Sequence, residues 1–206
     1  MTGQNLSFIH RFDPGTDRSR PPLLLLHGTG GDETALIGLG REIAPGAALL
    51  SPRGAVLERG MPRFFRRLAE GVFDEADLLR RAGDLARFVT EARSTYGLTA
   101  PIAVGFSNGA NIAAATLMLH PGTFMGAVLI RAMAPLGETP DVDLSGLPIL
   151  MLSGSADPIV TRENAGRLAQ DLAAHRADLD YRILPAGHAL SNADVALATD
   201  WLSRFG

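Results

Sequence analysis

The chain alternates short apolar runs with longer stretches in which apolar residues recur at helical spacing. Apolar runs without interleaved polar residues predict strands that are covered on both faces, and they lie at residues 23–26, 101–104, 125–130 and 147–152. Shorter or less regular runs predict further strands at 6–12, 47–51 and 181–184. The first of these alternates loosely and is expected at a sheet edge.

Helical spacing predicts helices over 32–43, 74–94, 111–119 and 161–174, and a last helix after Ser191. Asp74 with Asp77, and Ser191 with Asp194, have the spacing of N-terminal capping partners. Because strands and helices alternate, we expect an α/β fold with a mostly parallel, twisted sheet and helices on both faces. Ligands of such sheets bind beyond the carboxyl ends of the strands.

One segment, residues 55–73, has no clean period. It contains Phe64 and Phe65 and four arginines, and a fifth arginine lies just before it. The five are Arg53, Arg59, Arg63, Arg66 and Arg67. This mixture is compatible with a pocket wall that recognises an apolar or anionic substrate. Runs of charge are more often a solvated, ion-paired face, and we favour that interpretation for the arginines.

Composition argues against several classes of protein and of functional site. The chain has 206 residues, a length that suits one domain over 1–206, and with 46% hydrophobic and 20% charged residues it is typical of a globular protein. No apolar run approaches the ~18 residues of a membrane span, and the first 13 residues do not resemble a signal peptide, so we expect a cytoplasmic protein. A net charge of -3 argues against nucleic-acid binding. The absence of cysteine excludes disulfides, thiolate metal sites and a cysteine nucleophile.

The pattern Gly-x-Ser-x-Gly at residues 105–109 follows a predicted strand and precedes a predicted helix. This is the context of a nucleophile turn, where the glycines avoid collisions and the serine hydroxyl is exposed at the strand end. Ser107 is therefore the candidate nucleophile. A glycine-rich turn with an incidental serine is the alternative.

A serine nucleophile needs an imidazole base, which in turn needs a carboxylate partner. Asp157 follows the strand at 147–152 and His188 follows the strand at 181–184, so the order Ser, Asp, His matches that of α/β-hydrolases. Asp141 and Asp143 are second choices for the acid, and a simple turn role for Asp157 stays open. His188 is preferred over the other histidines, which are out of order or, as with His175, lie towards a helix end.

The loop after the strand at 23–26 reads His-Gly-Thr-Gly-Gly-Asp-Glu. It lacks the lysine and spacing of a phosphate-binding loop. In serine hydrolases of α/β type, a loop here supplies one oxyanion N–H and the residue after the nucleophile supplies the other, so Thr29 and Asn108 are the candidate donors. Simple turn chemistry remains an alternative for this loop, and His27 is interpreted as structural. Arg131 and Met133, which leave the strand at 125–130 at the same sheet edge, are candidates to line the pocket.

These motifs, in this order and over nearly the whole chain, resemble the small lidless serine hydrolases of the phospholipase/carboxylesterase family within the α/β-hydrolase superfamily. The resemblance implies that Ser107, Asp157 and His188 form a triad and that Thr29 and Asn108 give oxyanion N–H groups. It is compatible with a homodimer. Dienelactone hydrolases are similar in size, but they use a cysteine nucleophile, which this chain cannot supply.

The expected activity is hydrolysis of a small-molecule ester or thioester through an acyl-enzyme, of the carboxylesterase, lysophospholipase or thioesterase type, with no metal or organic cofactor. The short connection between the strands at 125–130 and 147–152 leaves little room for a lid, so we expect an open site and small or accessible substrates. Two alternatives stay open: a noncatalytic ligand-binding protein on this fold, and a lyase or acyltransferase that uses the same residues.

Overall fold

The computed structural model describes residues 6–206. Within this described range there are eleven strands, five α-helices and a closing 3₁₀ turn, which are β1 His10–Asp13, β2 Leu23–Leu26, α1 Ile37–Ile43, β3 Leu49–Pro52, β4 Val56–Glu58, β5 Met61–Arg63, β6 Arg67–Ala69, β7 Val72–Phe73, α2 Glu75–Tyr96, β8 Ile102–Phe106, α3 Asn108–Leu119, β9 Gly126–Ile130, β10 Pro148–Gly154, α4 Arg162–Ala174, β11 Asp178–Leu184, α5 Asn192–Leu202 and the turn Ser203–Phe205. The predicted single domain over 1–206 includes residues 1–5, which lie outside the described part, and it stays a prediction.

Seven strands form the central sheet in the order β1-β3-β2-β8-β9-β10-β11. Every neighbouring pair is parallel except β1 with β3, which is antiparallel and places β1 at an edge. The predicted α/β class with a mostly parallel sheet is confirmed. The carboxyl ends of β8, β10 and β11 therefore share one side of the sheet.

Successive residues of the central strands enter different cores, because side chains of a strand alternate between faces. Leu24 and Leu26 pack in the core with α2, α3 and α4, whereas Leu23 and Leu25 pack in the core with α1 and α5. Helices thus cover both faces, which explains why β2 has no polar residue. Among residues 6–206, no helix is long and apolar enough to cross a membrane.

Several boundaries differ from the sequence prediction. Helix α1 begins at Ile37 rather than at residue 32, because the Asp32 carboxylate accepts hydrogen bonds from the backbone N–H and hydroxyl of Thr34 in a local turn. Helix α3 begins directly after Ser107. The predicted capping pair of α5 forms in both directions. In α2, Asp74 caps the Asp77 N–H as expected, but the Asp77 carboxylate binds other partners.

The irregular segment forms two small hairpins outside the central sheet, β4–β5 and β6–β7. Their strands have only two or three residues, too few to produce a recognisable period. Arg59 and Gly60 have φ of 51° and 81° at the first tip, and Gly71 has φ of 73° at the second. Arg59 and Gly60 are the two central residues of the first turn, and positive φ at both of them suits a tight hairpin turn.

Candidate active site

Ser107 lies in the sharp turn between β8 and α3. Its φ of 51° and ψ of -114° are unusual for a residue with a side chain. The two glycines of the motif make the turn possible: a Cβ at Gly105 would lie 2.6 Å from the Gly109 carbonyl oxygen, and a Cβ at Gly109 would collide with the Leu26 carbonyl oxygen. The Ser107 N–H donates to the Ile130 carbonyl oxygen at 2.9 Å, which ties the turn to β9.

His188 joins Ser107 to Asp157. Its Nε2 lies 3.0 Å from Ser107 Oγ and its Nδ1 lies 2.8 Å from Asp157 Oδ2. A proton on Nδ1 donates to the carboxylate, and Nε2 can then accept from the serine hydroxyl. The structure thus brings together these three predicted residues from the ends of β8, β10 and β11. Asp143 instead forms an exposed ion pair with Arg176.

The Asp157 side chain is fully buried. Burial acts to raise its pKa, but hydrogen bonds from the Val160 and Ile159 N–H groups, at 3.0 and 2.8 Å, and from His188 outweigh it, so the pKa of Asp157 lies below its ordinary value. The carboxylate is consequently held in its ionised form beside the imidazole.

A cavity of about 250 Å³ opens beside Ser107 and His188, and Met133, Asn111 and Phe106 line it with them. Arg67 and Phe73 of the β6–β7 hairpin form another part of the wall. Residues 131–147 contain neither helix nor strand. The connection between β9 and β10 therefore adds no regular element beside the cavity. For Arg63 and Arg67 the structure agrees with the pocket-wall interpretation, which was the less favoured one, rather than with a solvated face.

Thr29 and Asn108 line the same cavity. Among the hydrogen bonds within residues 6–206, none uses the backbone N–H of either residue. The N–H of Asn108 is at the first position of α3, where no carbonyl of the helix can reach it. Both residues thus border the cavity with their backbone N–H groups unpaired among residues 6–206, and the oxyanion role stays a prediction.

The loop that carries Thr29 is fastened to the first hairpin. Arg63 donates from Nη1 to Thr29 Oγ1 at 2.6 Å, and the Gly30 N–H donates to the Pro62 carbonyl oxygen at 2.9 Å. The Arg63 side chain is almost completely buried and lies 3.3 Å from a carboxylate oxygen of Glu58. Burial, with the nearby Arg67 charge, lowers the pKa of the Arg63 guanidinium.

His27 is buried at the end of β2. Its Nδ1 lies 2.7 Å from the Gly28 carbonyl oxygen and its Nε2 accepts from the Gly54 N–H at 2.9 Å. This pairing requires a neutral ring with its proton on Nδ1, and burial lowers the pKa of His27. Both ring nitrogens are occupied, which supports the structural role expected for this residue.

Three of the four predicted pocket residues lie elsewhere. Phe64 and Phe65, which connect the two hairpins along the chain, are 2% and 0% exposed and belong to the hydrophobic core. Arg131 is fully buried and ion-paired with Asp194. Only Met133 lines the cavity beside Ser107.

The amide side chains of the site carry contacts that were not predicted from the sequence. Asn108 Oδ1 accepts from the Phe64 N–H at 2.8 Å and Asn111 Oδ1 accepts from the Met133 N–H at 2.9 Å, so each amide fixes a neighbouring segment of the cavity wall. Their position in the first turn after the nucleophile was the available signal. Within residues 6–206, no three His, Asp or Glu side chains are placed to share a metal ion.

Two solved carboxylesterases are similar to nearly the whole chain. That of Bacillus cereus is 40% identical with a TM-score of 0.95, and the match covers 98% of this chain and 96% of that one. That of Mesorhizobium loti is 36% identical with a TM-score of 0.92, and covers 97% and 96% respectively. The protein MhqD of Bacillus subtilis (strain 168) is 44% identical over 194 residues, which are 93% of this chain and 96% of MhqD.

The model of the dienelactone hydrolase family matches residues 66–200, a range that contains Ser107, Asp157 and His188. The absence of cysteine therefore does not separate this chain from that family. The resemblance to small carboxylesterases of the α/β-hydrolase superfamily is consistent with the structural matches. The chain belongs to the dienelactone hydrolase family within that superfamily, and it is a hydrolase of the carboxylesterase type.

Proposed function

We propose that the protein is a serine carboxylesterase that hydrolyses small or accessible carboxylic esters or thioesters through an acyl-enzyme on Ser107. The observation that carries this proposal is the continuous hydrogen-bonded chain from Ser107 Oγ through His188 to the buried Asp157 carboxylate. The strained serine backbone supports it further, because such strain is found where a hydroxyl must be presented at one fixed point.

In the proposed acylation, Ser107 Oγ attacks the ester carbonyl carbon while its proton moves to His188 Nε2. The tetrahedral intermediate then collapses, the bond to the leaving group breaks, and the leaving group takes the proton from His188. Water repeats the sequence on the acyl-enzyme: it loses a proton to His188, attacks the carbonyl carbon and releases the acid, while Oγ recovers the proton. Asp157 holds the ring orientation and stabilises the imidazolium.

The N–H groups of Thr29 and Asn108 would stabilise the oxyanion of both tetrahedral intermediates. Neither group has a competing partner among the described residues, so neither must break a protein hydrogen bond to serve. Loss of one such donor typically raises the barrier by about 3 kcal/mol.

Cavity size favours a small acyl group. The volume of about 250 Å³ lies just below the roughly 300–1,000 Å³ typical of drug-sized ligand sites. Its wall combines Met133, Phe73 and Phe106 with Arg63 and Arg67, so an ester with one apolar and one polar part matches this lining.

The test compares wild type, Ser107→Ala and Ser155→Ala, an exposed serine that serves as the control. Each is assayed with p-nitrophenyl acetate, butyrate and octanoate, and its intact mass is measured after treatment with a fluorophosphonate. We expect wild type and Ser155→Ala to hydrolyse the short esters fastest and to gain one adduct. Ser107→Ala should fold normally, lose activity and remain unlabelled.

A folded wild type that neither hydrolyses these esters nor reacts would favour the noncatalytic alternative. Added methanol distinguishes hydrolysis from a preference for acyl transfer. Release of nitrophenol at an unchanged rate with a minor methyl ester product supports an esterase, whereas methyl ester as the dominant product would indicate an acyltransferase.

A further inference from the structure

Arg131 follows β9 directly and is fully buried with φ of 56°, an uncommon backbone conformation for arginine. Its guanidinium forms a two-pronged ion pair with Asp194, with Nη1 and Nη2 at 2.7 and 2.8 Å from the two carboxylate oxygens. Both side chains are 0% exposed. Neither residue lines the cavity beside Ser107.

Two further donors of Arg131 reach the loop that carries His188, and Nη1 also lies 3.4 Å from the Leu152 carbonyl oxygen. Nε donates to the Gly187 carbonyl oxygen at 2.8 Å, and Nη2 lies 3.3 Å from the Ala189 carbonyl oxygen. These two carbonyls belong to the residues immediately before and after His188. One side chain thus holds the backbone on both sides of the imidazole.

The same residue is tied to the strands that carry Ser107 and Asp157. Its backbone N–H donates at 2.8 Å to the carbonyl oxygen of Leu152 in β10, the strand that leads to Asp157. The residue before it, Ile130, accepts the Ser107 N–H. Arg131 and the residue before it therefore contact the segments that carry Ser107, Asp157 and His188.

Asp194 fixes the other end of the histidine loop. Its Oδ2 accepts from the N–H and the hydroxyl of Ser191, at 2.8 and 2.7 Å, in the capping box that starts α5. The loop from residue 185 to 191 has no regular structure, and the Arg131–Asp194 pair anchors both its middle and its end.

Stability alone does not explain a buried ion pair at this place. Replacing a buried pair by apolar side chains of similar volume is often neutral or stabilising, because the desolvation of two charges offsets their attraction. Apolar side chains cannot, however, donate hydrogen bonds to two chosen carbonyl groups. The directed donors are the feature that only the arginine supplies.

We infer that Arg131, with Asp194 as its partner, is a positioning residue that holds His188 in line with Ser107 and Asp157. The inference rests on the proposed function, since it assigns His188 as the base. It concerns geometry: the pair touches neither the cavity nor the reacting atoms.

The test uses Arg131→Lys, Arg131→Met, and Arg131→Met combined with Asp194→Leu, which removes both charges and so leaves no unpaired buried carboxylate. Leu202→Ala is the control, because Leu202 is also buried in α5 but is the last residue of that helix, whereas Asp194 lies in its first turn. Each variant is measured by thermal unfolding, fluorophosphonate labelling rate, kcat and KM for p-nitrophenyl acetate, and the downfield proton NMR signal of the His188–Asp157 hydrogen bond.

We expect the Arg131 variants, including the double variant, to lose about 10- to 100-fold in labelling rate and kcat, because a displacement near 1 Å at a catalytic group can cost 100-fold. KM should change little, and the downfield signal should broaden or disappear. Leu202→Ala should unfold at a lower temperature while its labelling rate and NMR signal stay like wild type.

A folded double variant with wild-type labelling rate and an intact downfield signal would overturn the inference. If Arg131→Met and the double variant both fail to fold, Arg131→Lys decides: wild-type labelling and signal would contradict the positioning role. The NMR signal also separates the two proposals. Should wild type prove inactive, the proposed function fails, yet loss of the signal in the Arg131 variants would still support the positioning role.

Discussion

The two sides of the Ser107 site are built from different parts of the molecule. The histidine side stands on the central sheet, where Asp157 and His188 follow β10 and β11 and are backed by the fully buried Arg131. The other side, called the oxyanion side after the role proposed for the Thr29 N–H, is a loop fastened to a hairpin outside the sheet, through Arg63 and the Pro62 carbonyl.

The two arginines illustrate this difference. Arg131 is matched by a carboxylate at 2.7 Å that is itself fully buried, whereas Arg63 meets Glu58 at 3.3 Å and that side chain is 27% exposed. Arg63 lines the cavity and Arg131 does not. We therefore expect the proposed proton transfers to depend on the buried core behind His188. The binding of the substrate should depend on the hairpins attached to the sheet.

The histidine side should give the largest effect on activity. Asp157→Asn removes the acceptor that fixes the imidazole tautomer, and we expect kcat on p-nitrophenyl acetate to fall about 10⁴-fold. Asp143→Asn is the matched control, because it changes one of the two other candidate acids, and that side chain is exposed. Equal activity of the two variants would remove Asp157 from the proposed mechanism.

Substitutions on the oxyanion side should reduce activity less. Arg63→Met frees the Thr29 loop on one side while leaving both backbone N–H donors in place, so we expect kcat/KM to fall between about 10- and 100-fold, below the full cost of a lost donor. Arg67→Met, a change in the second hairpin that also lines the cavity, is the control. A loss as large as that of Asp157→Asn would show that the two sides do not differ in this way.

The stability that the histidine side gains from Asp157 should decrease at acidic pH. Asp157 has a lowered pKa in the folded protein, so its carboxylate contributes stability above the unfolded pKa near 3.8, and this contribution is lost as pH falls through the folded pKa. We expect the stability advantage of wild type over Asp157→Asn, measured by urea unfolding, to shrink from pH 7 to pH 3. The comparison isolates Asp157, because the two proteins differ at that residue alone. An advantage that is constant with pH would contradict the assigned shift.

The smallest effect is expected at Thr29. Thr29→Val removes the oxygen that accepts from Arg63 but keeps the backbone N–H, and a single hydrogen bond of this kind contributes roughly 1–3 kcal/mol. We expect a drop in unfolding free energy at the low end of that range and a few-fold loss of kcat/KM. Thr29→Ser, which keeps the hydroxyl, should behave like wild type. Indistinguishable results for the two variants would mean that the Arg63 contact does not hold the loop.

Much of the framework was predictable from the sequence because it depends on neighbouring residues. Continuous apolar runs identified the central strands, and the glycine spacing around Ser107 identified the turn. The order of Asp157 and His188 then placed them at the same sheet edge, since parallel strands present their carboxyl ends together. Errors concentrated in the hairpins at 55–73, whose strands are too short to carry a period.

The sequence by itself determined the α/β class, the order of the central strands and helices along the chain, and the three side chains that meet at the end of the sheet. Only the tertiary structure decided that Phe64 and Phe65 are core, and that Arg131 supports the histidine loop instead of lining the pocket. The reason is distance along the chain. Arg131 and Asp194 are separated by 63 positions, and no local pattern of charge or hydrophobicity records such a contact.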